Sequence, residues 1–244
     1  MHAAAPFSPV RLLALDTATD TLAMAVVHAD RILTHESAGG AQASTTLMPA
    51  LLDLLAQAGL TLSSIHAVAM GRGPGAFTGL RTAVSVAQGL AFGLACPVVP
   101  VDSLLIVAED AFEQAGRPVA HAWPVWVAVD ARMNEVYAAE YAHDPVAGWQ
   151  VRTPPGLYDL PTLSARWLAQ PPQAIAGNAL SVFAGQLPVA TAAQWPQVQA
   201  RAAALGRLAQ QAWLAGAHVP ADDALPLYLR DKVALTIAER EGRA

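Results

Sequence analysis

Cysteine is all but missing from this chain. Cys96 stands alone, so no internal disulfide and no cysteine cage for a metal can form, and a reducing, cytoplasmic setting is expected. Lysine is equally scarce. Lys232 is the only lysine among 14 basic residues, which, with the many alanines, reads as composition bias. Charged residues make up only 14% and the net charge is −5, which excludes a strongly basic nucleic-acid surface on this chain alone. The apolar runs are of strand length and broken by polar residues, which excludes a membrane span. The opening MHAAAPFSPVR lacks the charged start and long apolar stretch of a signal peptide. None of the seven histidines has another at i+4, and His28 and His35 fall across strand residues, so no metal pair is expected. No G-x-S-x-G elbow occurs. Cys96 precedes a proline at a strand start and reads as a core residue.

What the chain has is apolar surface. At 54% hydrophobic, it has material for a sizeable core and for a large face covered by a partner. Val10–Leu15 reads as a buried strand closing at Asp16, Leu22–Val27 and Arg31–His35 as two more, and Ser44–Ala58 as a helix. A strand at Ile65–Met70, a glycine-rich loop and a helix follow, then a strand at Pro97–Val101 closing at Asp102. The second half repeats this grammar: Val125–Val129 closes at Asp130, and Glu135–Tyr141 resumes after a tight turn. An apolar strand ending in Asp, then a turn and a strand, twice and half a chain apart, predicts a duplicated β-β-β-α unit. A chance likeness of two hairpins is the alternative. Pro154–Pro155, Pro171–Pro172 and the Ala/Gln-rich 190–204 region read as loops and surface helices, and Ala221–Asp223 as the cap of a final segment, Ala224–Val233.

The loop carries Gly71, Gly73, Pro74, Gly75 and Gly79. A strand feeding such a turn at a helix start can bring backbone N–H groups to an anion, or bring two helices close together. It is not a Walker A loop, since no Gly-Lys-Ser/Thr follows. It fails the dinucleotide fingerprint because Ala76 and Thr78 occupy the third glycine's place, and Pro74 removes a donor, although Asp102 would suit a ribose contact. Asp16 and Asp130 could hold a metal-bound phosphate or simply bond turn amides. Gly177-Asn178 reads as an ordinary loop or an adenine-side turn.

In the next helix Gly79, Ala83, Ala87, Ala91 and Ala95 form one i, i+4 row, and Ser85, Gly89 and Gly93 a second. Glycine inside a helix costs about 1 kcal/mol relative to alanine, so these glycines need a reason. Flat rows let another helix approach closely. Packing on the protein's own sheet explains one row equally well, and two rows suggest two close neighbours. The preceding helix carries the stripe Leu47, Leu51, Leu54, Leu55 and Ala58, with Met48 and Leu52 extending it. A helix apolar nearly all round is buried on two sides. Deep burial in one domain and a helical partner interface both satisfy that.

LALDTAT at 13–19, GRGPGAFTGLR at 71–81, AQGLA at 87–91, VDARMNEVY at 129–137 and PLYLRDKV at 226–233 together resemble the TsaB (YeaZ) family, densest over 12–141. The resemblance implies an α/β fold of the actin/Hsp70/sugar-kinase-like (ASKHA) class, with two similar lobes of mixed sheet and helices. The lobes would be 10–103 and 104–221, with 222–244 packing back on the first. It implies a subunit without catalysis of its own, needed to place threonylcarbamoyl on the adenosine next to the anticodon of tRNA. The partners would be the paralogue TsaD and the ATPase TsaE, with tRNA met through the complex and a homodimer formed in isolation. ATP or ADP and metal would sit in the partner subunits, and this chain would hold no cofactor or metal. The partner interface would comprise Leu47, Met48, Leu51, Leu52, Leu55, Gly79, Ala83, Ala87 and Ala91. Asp16, Thr17, Gly73, Gly75 and Asp130 would be relics of a nucleotide site. Ala18 replaces the glycine of the superfamily's D-x-G-T loop, which disfavours close backbone approach. Ala43 stands where some relatives carry histidine. An independent ATP-dependent kinase of the same fold and a metallopeptidase-like activity are the competing expectations.

Overall fold

The structure, a computed structural model, describes residues 10–39, 43–118, 120–189 and 191–230, with backbone only at 43 and 44. The side chain of Ala43 and the last part of the expected segment Ala224–Val233 lie outside the described residues.

The first half folds as β1 (Arg11–Asp16), β2 (Thr21–His28), β3 (Arg31–Ala38), α1 (Ala43–Gln57), β4 (Ala67–Gly73), α2 (Phe77–Leu94), β5 (Val98–Asp102) and α3 (Ser103–Gln114). The second half folds as β6 (Trp123–Asp130), β7 (Glu135–Asp144), β8 (Gly148–Asp159), α4 (Leu160–Ala169), β9 (Ala174–Ala176), α5 (Ala179–Val182), β10 (Ala193–Trp195) and α6 (Arg201–Leu214). The sheets run β3-β2-β1-β4-β5 and β8-β7-β6-β9-β10. In each, the first three strands form an antiparallel meander and the last two join in parallel. The duplication expected from the two Asp-ended hairpins is therefore present element for element. Asp16 and Asp130 close equivalent strands, β1 and β6.

Strand β1 is buried on both faces, which is why it reads as an unbroken apolar run. Leu13 and Leu15 meet α1 and α2 in one core, while Leu12 and Ala14 meet α6 in another. The expected lobe boundary at 104–221 needs correction. Helix α6 falls in that range but packs on the first sheet, against β1, β2 and β3, and α3 packs on β6 and β7 of the second. Each lobe's last helix thus covers the other lobe's sheet, and α3 and α6 pack together between them. Residues 222–230 likewise do not stop at the first lobe, because Arg230 pairs with Glu135 in the second. Pro154 and Pro155, read as loop residues, lie inside β8. That strand is a sheet edge, and the two prolines sit where its register with β7 shifts, between the pairing of Glu140 with Thr153 and that of Ala138 with Gly156, so neither has to donate to the ladder.

Glu109 on α3 is fully buried, accepts from Arg117, Arg207 and Trp149, and so ties α3, α6 and β8 together. Beside it the His143 ring stacks on Phe112, 4.2 Å between centroids. Its Nδ1 is buried without a hydrogen-bond partner. Burial, and secondarily the Arg117 charge, hold its pKa below the usual 6.5, against the opposing pull of Glu109 and Asp144. A depressed histidine favours the neutral ring in the folded state. Its contribution is complete above pH 6.5 and is lost as pH falls from there through the folded value. Melting temperature is therefore expected to drop between pH 7.5 and pH 5.5, and His143→Phe to flatten that drop. An equal slope in the variant would remove His143 as its source.

Candidate functional site

The end of β1 is closed by the protein's own groups. Asp16 is fully buried. Its Oδ1 accepts from Ala18 N–H at 2.9 Å and from Arg201 Nε and Nη2 at 3.3 and 3.2 Å. Its Oδ2 accepts from Ser103 Oγ at 2.8 Å, and that hydroxyl in turn accepts from Gly73 N–H at 3.0 Å. Arg201 is itself only 4% exposed. It is set in place by the start of α6: Asp110 on α3 accepts from the N–H groups of Gln199 and Ala200, and Glu36 on β3 from that of Ala202. Arg201 is the site residue that the sequence reading missed. Its signal was slight, a single arginine opening an alanine-rich helix.

The glycine loop is spent on the same closure. A Cβ on Gly71 would lie 1.7 Å from Asp16 Oδ2, and one on Gly79 1.8 Å from the Thr17 carbonyl oxygen. The loop glycines let β4 and α2 press against the β1–β2 turn. Ala76 N–H donates to Ala18 O at 2.8 Å and Thr17 Oγ1 to Gly79 O at 2.6 Å. Two loop amides that could hold an anion, those of Gly73 and Ala76, are already paired inside the chain. Gly73, Gly75, Thr17 and Asp16 therefore do converge, but on one another.

The equivalent end of β6 is open. Asp130 Oδ1 accepts from Arg132 N–H at 2.8 Å, Oδ2 lies 3.3 Å from Arg132 Nη1, and Asp130 N–H donates to Asn178 Oδ1 at 2.9 Å. Gly177, at φ +115°, presses on the Ala128 carbonyl and sets Asn178 in that position. Between the two strand ends lies a cleft of about 780 Å³, bordered on the first side by Ala18, Gly75, Ser103 and Arg201, though not by Asp16 itself, and on the second by Asp130, Arg132, Asn178 and residues 227–230. Asp102 does not face a ribose site. It caps α3 through Leu104 N–H and accepts from Tyr141 Oη at 2.6 Å. Burial pushes the Asp102 carboxyl above its usual range, and burial followed by the neighbouring Asp102 charge pushes the Tyr141 phenol up. Among the described residues, no group of three or more His, Cys, Asp or Glu could hold a metal ion.

The helix faces require a further correction. Leu47, Leu51, Leu55, Ala83, Ala87 and Ala91 are all buried in the chain's own core against β1, β2 and β4, and Gly79 serves the Thr17 contact. They cannot touch a partner directly. What is left outside is the second row, Ser85, Gly89 and Gly93, all exposed, with Phe92 61% and Leu52 47% exposed and Met48 half-buried. A Cβ on Gly89 or Gly93 would meet nothing within 4 Å. Packing among the described residues therefore does not explain either glycine.

Two equivalent sheets with exchanged covering helices, facing across a cleft at two Asp-ended hairpins, define an α/β protein of the ASKHA class with two similar lobes. A family model described as TsaD, tRNA N6-adenosine threonylcarbamoyltransferase, matches residues 26–161. The chain is 38% identical over 140 residues to the tRNA threonylcarbamoyladenosine biosynthesis protein TsaB of Escherichia coli K12, covering 57% of this chain and 58% of that protein. It is 41% identical over 138 residues to the Haemophilus influenzae protein of the same description, covering 55% of each. It thus spans just over half the length of these curated relatives. Among solved structures, YeaZ from Pseudomonas aeruginosa superposes with a TM-score of 0.78 at 36% identity, covering 90% of this chain and 100% of that one. A second Pseudomonas aeruginosa structure, described as an uncharacterized protein similar to peptidase YeaZ, gives 0.81 at 36%, covering 91% and 100%. The chain belongs to the TsaB (YeaZ) family, paralogous to TsaD.

Removing Arg201 leaves Asp16 buried and uncompensated. Arg201→Leu is expected to cost about 3–5 kcal/mol in urea unfolding, and adding Asp16→Asn to recover most of it. Additive losses in the double variant would contradict a coupled pair.

Proposed function

We propose that this chain is a non-catalytic subunit of the complex that transfers threonylcarbamoyl to the adenosine next to the anticodon. In this reading it pairs with TsaD, TsaE joins the pair, and tRNA is met through the assembly in the cytoplasm. The reading rests on the Asp16–Arg201–Ser103 closure. A superfamily member that handles ATP needs the first strand's Asp and the loop amides free for metal and phosphate; here Asp16 and two of those amides are bonded to the chain itself. ATP, ADP and metal then belong to the partner subunits.

The docking face in this proposal is the outer row of α2 with Leu52 and Met48 of α1. Two open helix glycines sacrifice stability without any packing return among the described residues, and they would allow a partner helix to approach at the short end of the usual 8–10 Å separation. In isolation the same face would seat a second copy. The competing reading, an independent ATP-binding kinase, draws on the open Asp130–Asn178 side of the cleft.

Co-expression with TsaD tests the docking face. Gly89→Ala is expected to stabilise the isolated chain by up to about 1 kcal/mol yet weaken the pair. Ser85→Trp with Gly89→Trp is expected to abolish co-purification while the chain stays folded. A pair that survives the double tryptophan variant would place the interface elsewhere.

A further inference from the structure

The segment after α6 crosses from one lobe to the other. Gln88 Nε2 on α2 donates to the carbonyls of Ala221 and Ala224 at 3.1 and 3.3 Å. Leu227 N–H then donates to Arg72 O at 2.7 Å, at the end of β4. The Tyr228 ring packs on Phe77, 5.3 Å between centroids, and its hydroxyl accepts from Arg81 Nε at 3.3 Å. Up to this point every anchor belongs to the first lobe. Leu229 joins the core of the second. Arg230 donates to the carbonyls of Ala131 and Arg132 at 3.0 and 3.4 Å and pairs with Glu135.

The far anchor is unusual backbone. Arg132, Met133 and Asn134 are all left-handed, with φ of 65°, 58° and 59°. For residues with a Cβ such geometry is disfavoured, least so for Asn134, and three in a row persist only when their surroundings over-determine them. Arg230 is one determinant, because it grips the two carbonyls that open the turn. Arg132 N–H on Asp130 is another. The Arg132 guanidinium, in turn, reaches Asp20 of the first lobe at 3.6 Å, but both side chains are highly exposed, and such a pair adds little. The lobes are otherwise joined on the deep side of the cleft, by the α3–α6 layer and the Tyr141–Asp102 bond. Residues 227–230 line the cleft itself.

We propose that residues 221–230 are an inter-lobe strap that sets the opening of the cleft and carries any displacement of α2 to the 130–135 hairpin. Its near end is fixed to α2 and its far end to a turn that cannot relax while Arg230 holds it. Pushing on the outer face of α2 then pulls on the Asp130 side of the cleft. The coupling belongs to the chain alone and holds whichever partner seats on α2.

Spin labels at Asp30→Cys, in the first lobe, and Val182→Cys, on α5, read the lobe separation by pulsed dipolar spectroscopy of the full chain in a Cys96→Ala background. One narrow distance distribution is expected for the intact strap. Tyr228→Ala and Arg230→Ala remove the last first-lobe side-chain anchor and the far anchor, so each is expected to shift or broaden the distribution in the same way. The double variant is expected to add nothing further. Two additive effects, an effect from one end only, or no effect from either would overturn the strap. Hydrogen exchange of the unsubstituted chain gives a second arm that does not depend on the variants folding. The N–H groups of Leu227 and Glu135 are expected to exchange with protection factors within about threefold of each other, as members of one cooperative unit. A difference of about tenfold or more would show two independent openings and would also overturn it.

Discussion

Much of this molecule follows from one buried ion pair, Asp16 with Arg201. A carboxylate and a guanidinium taken out of water recover their desolvation cost only when geometry and further hydrogen bonds are good. Here Ser103 and the Ala18 amide complete the carboxylate, and the Ser103 carbonyl takes up part of the guanidinium, 3.4 Å away. The pair requires α6 to lie across the first sheet, which holds the exchanged helix arrangement in register. It requires Gly71 on the neighbouring strand, since any side chain there would occupy the space of the carboxylate.

The two halves of the chain show what duplication leaves free. Their topology is the same, strand for strand, and an aspartate closes the first strand of each. At Asp16 the turn is packed shut by backbone and by Arg201. At Asp130 the partner is Arg132, whose side chain is 75% exposed, and Asp130 itself lines the cleft that both turns border. One fold thus carries a closed end and an open one, and the difference comes from the few side chains that reach each strand terminus rather than from the sheets.

The sequence made β1 to β7, α1, α2 and the repeat legible because their signals are apolar runs and Asp-terminated hairpins. Strands β8, β9 and β10 and helices α3, α4 and α6 were not foreseen. In β8 an edge position and a register shift let Pro154 and Pro155 sit in the strand, and those residues are turn signals in any local reading. The faces of α2 were half legible. Two small-residue rows on α2 pointed to two neighbours, but composition could not say which row faced inward. The alanine row proved to be core, and the Ser85–Gly89–Gly93 row is the one left outside. Arg201 was illegible because its partner lies far away in sequence, and only the crossing of α6 onto the first sheet brings them together. Likewise the glycine loop looked like an anion cradle because the same residue types serve close backbone approach to a ligand or to the chain itself.

Isothermal titration of magnesium-ATP into the isolated chain tests the closure most directly. With Asp16 held by Arg201 and the Gly73 and Ala76 amides paired, no saturable magnesium-dependent binding is expected up to about millimolar nucleotide. Stoichiometric binding with a Kd of about 10 μM or tighter, lost on Asp16→Asn, would show that the site opens and that the closed loop is not the basis of this protein's role.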